Sequence, residues 1–290
     1  DVLKAGGSGV ASVSDALSSF YDEDVQTALR AELPPLYENF EFALPAASLA
    51  ELSGSSITVT ADGQYAYAYA YVDAVTGTAG AINVEAAGEG SWAEGHLNIS
   101  GNVSGDIHVL TSADAAGESY DASYAHAGFY AQVSDGITGD ITVQAQGVGG
   151  EANLSVWAGG DITGNVTVEA TGGTHEFSID GYDGYYAANA RARVLAEGDL
   201  TGNLSLTASG ESSDAYLYAY TGGTLDGDVM VTASGVEADA MARLNRYAST
   251  SAPVAELAGT AFTVEASGTY AYAYAYVGDD GIDAESARIF

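Results

Sequence analysis

Tyr65-Ala66-Tyr67-Ala68-Tyr69-Ala70-Tyr71-Val72 is the stretch whose reading decides the fold, and it returns as Tyr270-Ala271-Tyr272-Ala273-Tyr274-Ala275-Tyr276-Val277. Strict alternation of a large and a small residue is the period of a β-strand, whose successive side chains point to opposite faces. Tyrosine favours strands; alanine does not, so alanine is there for its size. The flanks match as well: Ile57-Thr58-Val59-Thr60-Ala61-Asp62-Gly63 precedes the first copy, and Phe262-Thr263-Val264-Glu265-Ala266-Ser267-Gly268 precedes the second. Between these two units the chain reads as variations on the same theme.

Working inward from the ends, a second motif recurs: an aliphatic residue, a small polar residue, Gly, Asp or Asn, then alternating aliphatics. Ile137-Thr138-Gly139-Asp140-Ile141-Thr142-Val143 and Leu200-Thr201-Gly202-Asn203-Leu204-Ser205-Leu206 are clear copies. The motif glycines Gly54, Gly77, Gly105, Gly139, Gly164, Gly202, Gly227 and Gly259 are 23, 28, 34, 25, 38, 25 and 32 residues apart. A minimum near one value with longer variants fits one turn of a solenoid carrying loops of variable length. The fold class expected is all-β, a β-solenoid (β-helix) of about eight rungs spanning residues 52–277, each with two strand segments.

Counting from each motif glycine gives the facing. Ala152, Leu154 and Val156 fall in phase with Ala188, Ala190, Ala192 and Val194, with Ala215, Leu217 and Ala219, and with Ala125, Ala127, Phe129 and Ala131. These residues should point inward, against a wall thin in alanine. The tyrosines of the opening stretch, with Asn153, Trp157, Arg191, Arg193, Tyr130, Tyr216 and Tyr218, should point outward.

Residues 1–51 differ in style. Ser14-Asp15-Ala16-Leu17 opens a short helical segment that Pro34-Pro35 closes, and the region is expected to be an N-terminal cap or docking segment. Residues 278–290 form a C-terminal tail. The chain begins at Asp1 without Met, which reads as a processed or excised polypeptide.

Composition limits the partners. Forty acidic residues against seven basic ones, with a single lysine at Lys4, give a formal charge of -33. Such a surface repels nucleic acid and anionic membrane surfaces. No apolar run is long enough to span a membrane. There is no cysteine, while 47% apolar residues and 20 tyrosines argue against disorder. Low lysine and abundant Gly, Ala, Ser and Thr suggest an extracellular or cell-surface protein.

Little points to catalysis. The four histidines, His96, His108, His126 and His175, fall in different rungs without ligand spacing, and no nucleophile elbow, phosphate loop or zinc motif occurs. The chain is expected not to be an enzyme and to carry no cofactor, calcium apart. Asp106, Asp140 and Asp228 share the position after the motif glycine. Asp and Asn favour such turns by bonding local backbone; the sharper alternative is a column of Ca²⁺ sites. Asn98, Asn102, Asn153, Asn165 and Asn203 lie in glycosylation sequons, three of which follow from the repeat itself. An outward Thr column through Thr142 and Thr167 is broken by His108 and Met230, which argues against a flat ice-binding face.

Motifs such as Gly160-Asp161-Ile162-Thr163-Gly164-Asn165-Val166-Thr167-Val168 resemble the repetitive β-solenoid passengers and fibre-forming surface proteins of bacteria. That resemblance implies adhesion, surface coating or fibre building. The ends suggest which. A terminal rung presents unpaired backbone groups that invite another chain, and the last Tyr/Ala strand contains no Pro or charge to blunt it. Stacking last rung on first is a heterologous contact that builds open filaments. The chain is expected to be a head-to-tail filament subunit. Its junction would lie at Tyr65, Tyr67, Tyr69, Tyr71 and Val72 against Tyr270, Tyr272, Tyr274, Tyr276 and Val277, clamped by the N-terminal segment and the tail ending at Phe290. The alternative is a monomeric surface adhesin or passenger domain whose outward aromatics bind a glycan or a host surface.

Overall fold

The computed structural model describes residues 52–63, 65–113, 124–147, 149–172, 176–179, 182–185, 187–246 and 260–278. The expected N-terminal helical segment at residues 1–51, His175, and the tail from residue 279 to Phe290 lie outside them. The chain divides into two units, and the second, Glu51–Phe290, contains every described residue. Among the described residues there is no helix, and nineteen strands belong to one sheet whose pairings are all parallel. The protein is a parallel β-solenoid.

One turn of the coil shows how the sequence produces it. Leu200–Thr201 is a two-residue strand, Leu204–Ser209 a six-residue strand, and Ser212–Thr221 a ten-residue strand; Leu225–Asp226 then begins the next turn. Each strand pairs in register with its counterpart one turn away, Leu200 with Leu225, Leu204 with Val229 and Ala215 with Ala240. Three ladders result: a corner ladder, a motif ladder and an alternating ladder. The sequence suggested two strand segments per turn. The third arises because the motif glycine breaks the run into a corner. At Gly164 φ is +139°, a conformation other residues adopt only with strain, and a Cβ there would run into the carbonyl oxygen of Gly139 in the turn before. The long 38-residue spacing also has an explanation: Glu176–Ile179 and Tyr182–Tyr185 form an antiparallel pair inserted between the motif and alternating strands.

The inward phase is as the periodicity predicts. Ala127, Ala152, Ala190 and Ala215 lie in one register column and are fully buried; Phe129, Leu154, Ala192 and Leu217 form the next column, with Phe129 fully buried and the others nearly so. The alanines are not spread evenly, however. One alternating-ladder column is alanine throughout, from Ala68 and Ala93 to Ala240 and Ala273. On the motif ladder the matching column is Ala145, Ala170, Ala208 and Ala233. Both columns adjoin the tight turn between these ladders, where only Gly210 and Glu211 separate Ser209 from Ser212. The walls converge there, so only small side chains fit, and Thr111 is the largest residue of the motif-ladder column. Larger side chains, Ile162, Leu200, Leu206 and Leu225, fill the wide end toward the corner and are completely buried. Burying each such side chain is worth about 1.5–3 kcal/mol. Local exceptions are compensated in size: Phe129 sits over Gly95, where a Cβ would meet its ring at 2.8 Å.

Candidate functional site

Asp and Asn at the corner form a continuous hydrogen-bonded column. Asp106 Oδ1 accepts the Asp140 amide at 2.9 Å, and Asp140 Oδ1 accepts the Asn165 amide at 2.7 Å. Asn165 Oδ1 accepts from Asn203 at 3.1 Å, Asn203 Oδ1 from Asp228 at 2.9 Å, and Asp228 Oδ1 from Ala261 at 3.0 Å. A second column lies on the other side of the corner strand, where Asn102 Oδ1 accepts the Gly136 amide, Asp161 Oδ1 the Asp199 amide and Asp199 Oδ1 the Thr224 amide. Each of these side chains satisfies a backbone donor one turn further along, which explains the unbroken run of Asp and Asn from Asp106 to Asp228 in the first column; the second is interrupted by Gly136 and ends at Thr224. Of the three residues expected as calcium ligands, Asp106 and Asp140 are neighbours, while Asn165 and Asn203 separate Asp228 from them. Among the described residues no group of three or more His, Cys, Asp and Glu is arranged to hold a metal. No helix among them is long and apolar enough to cross a membrane.

The opposite side of the molecule is more varied. The outward side of the alternating ladder carries Tyr67, Tyr69 and Tyr71, all exposed, with ring centroids 6.0 and 6.5 Å apart and ring planes nearly parallel. Register continues them into an aromatic cluster. Trp92 stacks on His126 at 3.9 Å and His96 on Tyr130 at 4.9 Å. Two carboxylates knit the cluster. Glu94 accepts from Trp92 Nε1 at 3.2 Å and contacts His96 Nε2 at 2.7 Å. Glu151 accepts from the Tyr124 hydroxyl and from Asn153 Nδ2 at 2.8 Å. Buried His126 Nδ1 lies 3.5 Å from Glu151 Oε2, a long and poorly aligned approach. His126 first, then Tyr124 and Asn153, outweigh desolvation and hold the Glu151 carboxyl down at about 2. Burial, reinforced by Glu94 and Glu151, raises the Tyr130 hydroxyl above its ordinary value and keeps it a donor.

Beyond this cluster the same face becomes a groove lined by Tyr130, Glu151, Asn153, Arg191, Tyr216 and Tyr218. Arg191 pairs in register with Tyr216 and lies 5.9 Å over its ring; Arg193 pairs with Tyr218, which in turn pairs with Arg243. Arg243 lies 5.1 Å over the Tyr276 ring. Asp214 stands between Asn189 and Asp239 in the adjacent column, and burial, then Asp239, raise its carboxyl against the pull of Arg191.

The residues expected at the subunit junction occupy the two terminal turns. Through successive pairings Tyr67, Tyr69, Tyr71 and Val72 share columns with Tyr272, Tyr274, Tyr276 and Val277. Tyr65, Tyr270, Tyr272 and Tyr274 are exposed, and Val72, Tyr276 and Val277 half-buried. The groove is what the sequence reading missed as a unit. Its signal was present: Arg191, Arg193, Arg243 and Arg246 are four of only seven basic residues, and all fall on two strands of one ladder.

Fold and surface together define a parallel β-solenoid with one regular polar edge and one aromatic, arginine-bearing face. No family model matches the chain, and neither does any curated protein or solved structure.

Proposed function

We propose that the protein is the subunit of an extracellular or cell-surface filament, a stack of about eight coils per subunit joined head to tail. One observation carries the reading: the terminal turns match column by column, inside and out. Seating the last turn on the first would place Phe262 on Ile57, Val264 on Val59, Ala266 on Ala61, Ala273 on Ala68 and Val277 on Val72. It would also continue the tyrosine columns. The inward residues Phe262, Val264 and Ala266 are only half-buried, whereas their counterparts Val229, Val231 and Ala233 one turn back are buried. Junction burial would supply the difference. The charge of -33 per subunit opposes stacking and is relieved by salt or divalent cations.

Negative-stain electron microscopy with and without millimolar Ca²⁺ tests this. Fibres of uniform width are expected, and Val264→Asp should reduce them to short particles. Separate particles of wild type under every condition would remove the filament and leave the second reading, a surface adhesin binding a glycan. The groove beside Arg191 and Tyr216 favours that second reading.

A further inference from the structure

The groove on the alternating ladder suggests its own ligand, whether or not subunits stack. Arginine in a chain this acidic should find a carboxylate partner easily, since acids outnumber bases forty to seven. Yet among the described residues neither Arg191 nor Arg193 makes an ion pair; the ion pairs shown are those of His96 with Glu94 and of His126 with Glu151. Both arginines are exposed and leave the same side of one strand, roughly 6.6 Å apart. On one side stand Asn153 and Ser155, on the other Tyr216 and Tyr218, in direct register.

From this we infer that the groove binds a short glycan bearing a single carboxylate, a sialic- or uronic-acid-terminated oligosaccharide. It rests on the adhesin reading and assigns that reading its ligand class. The chemistry divides among the residues. The guanidiniums of Arg191 and Arg193 offer planar forks that match a carboxylate bidentately. The rings of Tyr216 and Tyr218 supply an apolar platform with hydroxyl edges, suited to the C–H face of a pyranose. Burial and the carboxylates Asp214 and Asp239 raise the Tyr216 hydroxyl, so it remains protonated and able to donate. Asn153, held by Glu151, adds a fixed polar wall.

Charge also sets the length of the anion. The surrounding surface repels negative polymers, so a chain charged at every sugar loses with each added group what it gains at the arginines. A lone carboxylate meets Glu151 and Asp214 only once, beside the arginines that offset them, whereas each further charge of a polyanion meets the acidic surface without an arginine. The groove therefore selects an isolated acidic sugar against both neutral glycans and polyanions.

Titration calorimetry and saturation-transfer NMR on the full chain, with sialyllactose, lactose and heparin as probes, test the assignment. Sialyllactose is expected to bind at least about tenfold more tightly than lactose, consistent with loss of a charge-assisted pair. Arg193→Gln should abolish that preference, Arg193→Lys should recover part of it, and Tyr218→Ala should weaken both sugars. Unchanged thermal unfolding of the arginine variants separates recognition from folding. Equal binding of lactose would overturn the carboxylate assignment while leaving a glycan adhesin intact. Tighter binding of heparin would overturn the selection against polyanions. No binding by any probe would overturn the inference, and the adhesin reading beneath it falls separately if a glycan array shows no binding either.

Discussion

Compare the corner of the coil with the outward side of the alternating ladder. Down the corner, the buried position reads Val103, Ile137, Ile162, Leu200 and Leu225, and the turn that follows always carries Asp or Asn. Down one outward column, the residues are Tyr69, Glu94, Gly128, Asn153, Arg191, Tyr216, Met241 and Tyr274. Both lie in the same sheet at the same spacing. At the corner each residue is constrained by its neighbours in the turns on either side, so composition repeats. On the outward side the cluster around Glu94 and Glu151 holds itself together, but beyond it, from Arg191 to Met241, the register imposes no repeated residue, so composition there is free to answer to something outside the protein. The change from uniform to varied along a shared register separates what holds the coil from what it can bind.

The largest test of that difference is a pair of truncations. Leu206→Ala removes a fully buried side chain at the wide end of the core and should cost about 2–5 kcal/mol. Tyr218→Ala, on the outward side and 37% exposed, should cost no more than about 1 kcal/mol. Urea unfolding followed by circular dichroism reads both. Similar losses would mean that the tyrosine face carries stability and would break the distinction.

A smaller effect sharpens the account of the corner. Asn203→Ala deletes the acceptor for the Asp228 amide and should destabilise by about 1 kcal/mol, a net hydrogen bond's worth. Amide exchange at Asp228 should accelerate while exchange at Leu206 changes little. Asn203→Asp keeps the acceptor and should retain most of the stability, because the adjacent pair Asp106 and Asp140 already tolerates two carboxylates in this column. Exchange at Asp228 unaffected by Asn203→Ala would show that the column is incidental.

How much of this was legible follows the same division. Alternation in Tyr65 to Val72 and its likeness to Tyr270 to Val277 identified the coil, and counting from the motif glycines placed Ala152, Leu154 and Val156 in the right columns. Those positions obey strict local rules of period and size. The corner ladder was not separated, because Ile162-Thr163-Gly164-Asn165-Val166 has an unbroken alternating pattern and only the left-handed φ of Gly164 turns it. The wedge-shaped core was read as a uniformly thin one: which alanines meet across the tight turn depends on pairing between ladders. The groove escaped for a related reason. Arg191, Tyr216 and Asn153 are far apart in sequence and meet only through register between turns of unequal length.

The subtlest expected effect lies within the outward side itself, where two carboxylates are displaced in opposite directions. Glu151 has a folded value of about 2, below its ordinary 4.5, so its charged form stabilises the protein above the unfolded value. That contribution is lost as pH falls through the window from about 5 to about 2. Asp214 is raised, by burial and by Asp239, so its charge opposes folding at neutral pH and the penalty fades as the group takes up a proton. Thermal unfolding across that range should show Glu151→Gln less stable than wild type near neutrality, with the gap closing in acid. Asp214→Asn should be more stable near neutrality, with its advantage also vanishing in acid. Opposite signs at neutral pH would show that this face is structural at the histidine cluster and strained beside Arg191, as a surface kept for a ligand can be. Two losses of the same sign would mean that Asp214 stabilises the coil as Glu151 does, and the groove would then belong to the fold rather than to a partner.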